Sequence, residues 1–154
     1  MTKIKTYRMS ISRVFPATHP RAGEDTEFEV KIKNAIYVQE TGNQPSYAYH
    51  EIKRHTIRAN YPLWKKRIDE VNAGEAELVL YEWTGKPYKS GTRELFRFSK
   101  DDGIGVQELD LRLNVYNKTL AHNDGLSLQD FRYWFKDYDL SQPLAIIWFV
   151  NKRY

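Results

Sequence analysis

The chain has 154 residues, 41% of them apolar and 14% aromatic, enough for one globular domain spanning 1–154 with a core of its own. It contains no cysteine, which excludes a disulfide framework, a thiolate nucleophile and a cysteine-ligated metal. Lys and Arg number 24 against 20 Asp and Glu, a net charge of +4 that permits nucleic-acid binding without specifying it.

The segment Met1–Thr6 lacks the apolar core of a secretory signal, and no apolar run is long enough to span a bilayer. These features lead us to expect a soluble, cytoplasmic protein. Met9 to Phe15 reads as a first strand, closed by Pro16 and Pro20. Thr26-x-x-Glu29 has the form of a capping box, and Phe28, Ile32, Ala35 and Ile36 follow at helical spacing, which predicts a short helix. Tyr37 to His50 carries Gly42, Asn43, Pro45 and three tyrosines without a period, and reads as a loop or irregular hairpin inserted at about 37–50.

Asn60 is a helix cap and Pro62 suits the first turn. Leu63, Trp64, Arg67, Ile68 and Val71 then make one stripe before Gly74 stops the helix. Ala76 to Trp83 reads as a buried strand turned by Thr84-Gly85-Lys86-Pro87, and Glu94 to Ser99 as another, turned by Asp101-Asp102-Gly103. Leu109, Leu111, Leu113 and Val115 alternate with polar residues, the pattern of a strand with one wet face. Ser127-x-x-Asp130 opens a last helix with Leu128, Phe131, Trp134, Phe135 and Tyr138 on one face, and the apolar run Leu144 to Val150 closes the chain as a strand buried on both faces. The expected fold class is α+β: five or six short strands forming a small, partly closed β-barrel with flanking helices.

Charge is unevenly placed. From Ile52 to Ile68 the chain carries Lys53, Arg54, Arg58, Lys65, Lys66 and Arg67 and no acid, a pattern that fits either a solvated helix face or a phosphate footprint. The turn at Lys86, Tyr88 and Lys89 offers two cations and an aromatic ring, which suits a phosphate contact with base stacking as well as an ordinary hairpin tip. His19, His50, His55 and His122 do not pair at metal-ligand spacing with acids on a helix, so no metal site and no cofactor are expected.

Lys53-Arg54-His55-Thr56-Ile57-Arg58 places a lysine, a threonine and an arginine at K-x-x-T-x-R spacing. Strand alternation puts Arg54, Thr56 and Arg58 on one face, so Lys53 reaches Thr56 only from a turn ahead of the strand. Burial beside a second cation then lowers the lysine pKa, making it a base for the threonine hydroxyl. Asp124, in Asn123-Asp124-Gly125-Leu126-Ser127, supplies a carboxylate just before the aromatic helix, provided the two motifs meet.

The order K-x-x-T-I-R, helix, Gly74, strand, D-G-L-S-x-x-x-F and an apolar final strand resembles the ASCH domain family, relatives of the PUA-type RNA-binding barrels, over roughly Met9 to Phe149. That resemblance implies a PUA-like fold and one of two functions. The first is binding of RNA or a modified nucleotide, with Arg54, Arg58, Lys65, Lys66, Lys86, Tyr88 and Lys89 on the nucleic acid. The second follows from the family's bacterial N4-acetylcytidine amidohydrolases: Lys53 and Thr56 match their K-x-x-T lysine and threonine, and Asp124 stands where they carry a glutamate. Thr56 would then be nucleophile, Lys53 its base and Asp124 the proton relay. A protein–protein adaptor on the same scaffold, using the aromatic insertion, is a third expectation.

Overall fold

The computed structural model describes residues 3–43 and 51–154. Among them the chain is α+β, with six strands and four helices: β1 (Lys5–Ser10), α1 (Phe28–Thr41), β2 (His55–Ala59), α2 (Tyr61–Asn72), β3 (Ala76–Trp83), β4 (Thr92–Phe98), β5 (Gly105–Leu109), α3 (Lys118–Asn123), α4 (Leu128–Phe135) and β6 (Leu144–Trp148). The strands hydrogen-bond as two three-stranded sheets, β1-β3-β4 and β2-β6-β5. β1 runs parallel to β3; the other pairs are antiparallel.

The two central strands are the most apolar. In β6, Leu144, Ala145, Ile146, Ile147 and Trp148 are all buried, because a strand paired on both edges and covered on both faces leaves no position for water. β3 buries Ala76, Leu78, Val79 and Leu80 in the same way. α2 starts as its sequence dictates: the Asn60 side chain accepts from Leu63 N at 3.2 Å and Pro62 fills the first turn, while Trp64, Ile68 and Val71 turn inward. Ser127 caps α4 by accepting from Asp130 N at 3.1 Å.

Four expectations are corrected. The first strand lies earlier than Met9–Phe15, at Lys5–Ser10, where it meets Ala76–Tyr81 in parallel register; beyond Ser10 the chain leaves the sheet, and Val14 keeps one isolated bridge to Asp25. The Thr26–Glu29 capping box does not form. Thr26 Oγ1 donates to Ser12 O at 2.7 Å, and Glu29 turns to Arg93 and Lys33. α1 continues through Tyr37–Thr41, which therefore is not loop, and ends where Gly42 takes a left-handed conformation (φ 71°) and donates to Val38 O; residues 44–50 of the expected insertion lie outside the described residues. Leu111–Leu113 is a 3-10 turn rather than strand, opened by Asp110 accepting from Arg112 N, and Leu113 is 83% exposed. α3 has no counterpart among the expected elements.

Candidate active site

Two loops held by backbone hydrogen bonds build the site. Lys53 and Arg54 lie just ahead of β2. Lys53 N donates to Lys31 O of α1 at 3.0 Å, Arg54 N to Asn123 O at 2.7 Å, and Arg54 O accepts from Phe149 N at 2.9 Å. Placing Lys53 before the strand frees it from strand alternation, so it turns to the same side as Thr56 and Arg58. Asp124 is the C-cap of α3, its N–H donating to Leu120 O and Ala121 O at 3.1 Å. Gly125 follows at φ 82°, and a Cβ there would stand 3.0 Å from Lys53 Cβ. The glycine thus serves both the left-handed turn and the close approach of Lys53.

These loops bring Lys53, Thr56, Arg58 and Asp124 around one cavity of about 90 Å³, with Ser12, Phe28, Trp134 and Tyr138 completing its wall. Lys53 Nζ donates to Asp124 O at 2.7 Å and to Asp124 Oδ1 at 3.3 Å, and stands 4.2 Å from the centre of the Phe28 ring. Lys53 is 2% and Asp124 3% exposed. Burial, which penalises the ammonium, outweighs the attraction of Asp124 and with the help of Arg58 pulls the Lys53 pKa down to about 8. Arg58 Nη2 donates to Ser10 O at 2.5 Å, whereas its buried Nε has no hydrogen-bond partner. An unpaired buried N–H is costly, and this one belongs to a residue that lines the cavity. Burial also raises the pKa of the Tyr138 hydroxyl.

The remaining sequence candidates lie elsewhere. Arg54 turns to Asn123, with Nη1 2.8 Å from Oδ1. Exposed Lys65 pairs along α2 with Asp69 at 2.8 Å, and Lys66 is exposed beside it. Lys86, Tyr88 and Lys89 sit exposed on the β3–β4 turn, where Tyr88 packs 4.9 Å from Trp83 between ring centres. None of these six lines the cavity. The acid-free stretch is therefore divided: two of its cations enter the cavity, and Arg67 lies against the rings of Tyr7 and Trp64.

Ser12, Phe28, Trp134 and Tyr138 carry no motif that marks them as site residues, whereas His55 lies inside K-x-x-T-x-R and flanks the site in sequence. His55 points to the opposite side of β2 from Thr56, is fully buried, and places Nδ1 3.2 Å from Asp124 Oδ1. Among the described residues no three of His, Cys, Asp and Glu are grouped so that they could hold a metal ion, and no helix is long and apolar enough to cross a membrane.

No protein-family model matches the chain, and no curated protein or solved structure matches it.

Proposed function

We propose that the chain is an amidohydrolase that removes the acyl group from an N4-acylated cytosine nucleoside. The observation that carries this reading is a fully buried lysine, hydrogen-bonded to a carboxylate and sharing one small cavity with a threonine hydroxyl. The substrate class and the PUA-like character of the fold rest on the resemblance of K-x-x-T-x-R and D-G-L-S to the ASCH family.

In this mechanism neutral Lys53 takes the proton of the Thr56 hydroxyl as the oxygen attacks the acyl carbon. The carbonyl electron pair moves to oxygen, and the charge that develops there falls to the guanidinium of Arg58 in the cavity wall. Collapse breaks the C–N bond. The Lys53 ammonium returns its proton to the departing amine, leaving an ester on Thr56. Water then attacks the ester as Lys53 accepts its proton; collapse breaks the bond between the acyl carbon and the Thr56 oxygen, which takes that proton back from the Lys53 ammonium, releasing the acid and restoring free threonine and neutral Lys53. Asp124 holds the ammonium form between these transfers. Its side chain, one methylene shorter than the glutamate of the resembling hydrolases, still reaches Lys53.

Cavity size favours hydrolysis over simple capture of a nucleotide. Sites that enclose drug-sized ligands run to about 300–1,000 Å³; about 90 Å³ suits an acyl group entering ahead of its nucleoside. The scattering of Arg54, Lys65, Lys66, Lys86 and Lys89 away from the cavity points the same way. The test is incubation with N4-acetylcytidine and related acylated nucleosides, with products detected by mass. Release of cytidine and the free acid is expected; binding of the nucleoside with no product would leave the pocket as a recognition site and end the hydrolase reading.

A further inference from the structure

Behind the cavity, on the far side of β2, a hydrogen-bonded chain runs away from Asp124. Its Oδ1, the oxygen facing Lys53, also meets His55 Nδ1 at 3.2 Å, and His55 Nε2 meets the Tyr154 hydroxyl at 2.6 Å. A carboxylate only accepts, so Nδ1 is the donor to Asp124 and Nε2 is left to accept from Tyr154. Asn123 Nδ2 donates to the Tyr154 oxygen at 3.0 Å, which gives every link one donor and one acceptor. This assignment takes the imidazole as neutral, the form that burial favours by holding the His55 pKa below its ordinary value. The ring is clamped edge-on against Trp148, 4.7 Å between centres, and Tyr154 is fixed through its backbone by Gln107.

Hydroxyl, imidazole and carboxylate in this order form the connectivity of a nucleophilic triad, but here the hydroxyl is a poor nucleophile. Burial has pushed the Tyr154 pKa up to about 12, and its proton is directed at His55. We propose instead that His55 and Tyr154 are positioning residues: they fix the Asp124 carboxylate from behind and so set how strongly it holds Lys53. This rests on the reading of Lys53 as the base of the site, but its test does not need turnover. The two donors compete for one oxygen. Removing the neutral donor His55 concentrates the carboxylate charge on Lys53 and strengthens its ammonium form. The other charged or titratable groups facing Lys53 are Arg58 and Lys31, and those facing the His55–Tyr154 pair are Lys53 and Arg54.

The experiment follows the titration of the Lys53 side chain by NMR in the wild type, His55→Leu, His55→Gln and Tyr154→Phe. In His55→Leu the Lys53 midpoint is expected to rise by about half a pH unit or more. His55→Gln, whose amide can still donate to Asp124, should return it toward the wild-type value, a rescue that mere packing would not produce. Tyr154→Phe, which removes one hydroxyl from a half-exposed ring, should move the midpoint by a smaller amount. An identical Lys53 midpoint in Tyr154→Phe and in the His55 variants that fold would overturn the proposal. If the midpoints move as expected while no variant hydrolyses an acylated nucleoside, the positioning role stands and the hydrolase reading falls.

Discussion

An ammonium group taken fully out of water loses most of its hydration, and at Lys53 two oxygens of Asp124 and the face of Phe28 restore only part of it. The balance appears as a pKa of about 8 against the ordinary 10.5. This gap amounts to roughly 3 kcal/mol of stability forgone at neutral pH. The unfolded chain binds this proton more tightly than the folded one, so the contribution of Lys53 to stability rises with pH between about 8 and 10.5. Urea denaturation of the wild type and of Lys53→Met should therefore converge: measured against the variant, the wild type should gain roughly 2 kcal/mol between pH 8 and 10. Parallel curves over that interval would mean that Lys53 keeps an ordinary affinity for its proton. The pairing of Lys53 with Asp124 was open to reading from two motifs. His55 was legible only as a neighbour of the site within its motif; its burial follows from pairing opposite Trp148, and its outer partner, Tyr154, lies beyond the last strand outside any motif.

The site depends on turns that deliver side chains to it. At Gly125 a left-handed backbone and the Lys53 stem meet in the same space, with a Cβ at 3.0 Å from Lys53 Cβ and 3.3 Å from its Cγ. Gly125→Ala should cost about 1–2 kcal/mol through the left-handed conformation alone, with a further loss from crowding Lys53. Thermal unfolding measures the stability loss, and the Lys53 titration should shift with it. Full retention of both would show that the α3–α4 turn is more adaptable than its geometry implies. Element by element, strong local signals were legible. Asn60, Pro62 and Ser127 marked helix starts because caps act within a few residues. Periodicity failed where a cap or a packed neighbouring turn decided instead. The alternation of Leu109 to Val115 imitates a strand, but Asp110 folds the chain into a 3-10 turn after Leu109 and leaves Leu113 exposed. Tyr37–Thr41 lacks an apolar stripe and continues as helix from the turns buried at Phe28, Ile32 and Ala35.

At the scale of the molecule, the two sheets and four helices among the described residues leave the cations of one basic-looking segment facing different ways. Linear charge density is visible in sequence, but its division between a cavity, a helix pair with Asp69 and an aromatic stack at Arg67 is set by tertiary packing. Two motifs far apart in the chain are brought to a single cavity because β2 pairs with the buried β6 and α3 packs on α4, leaving Asp124 over the start of β2. The central claim is that Lys53 and Thr56 act there as one catalytic unit, and kcat/KM for N4-acetylcytidine with Thr56→Ala, Lys53→Ala and the double variant tests it most directly. We expect turnover by the wild type, a loss of about a thousandfold or more in each single variant, and little further loss in the double, because residues of one unit are not additive. Wild-type protein without turnover, or activity that survives Thr56→Ala intact, would contradict the account.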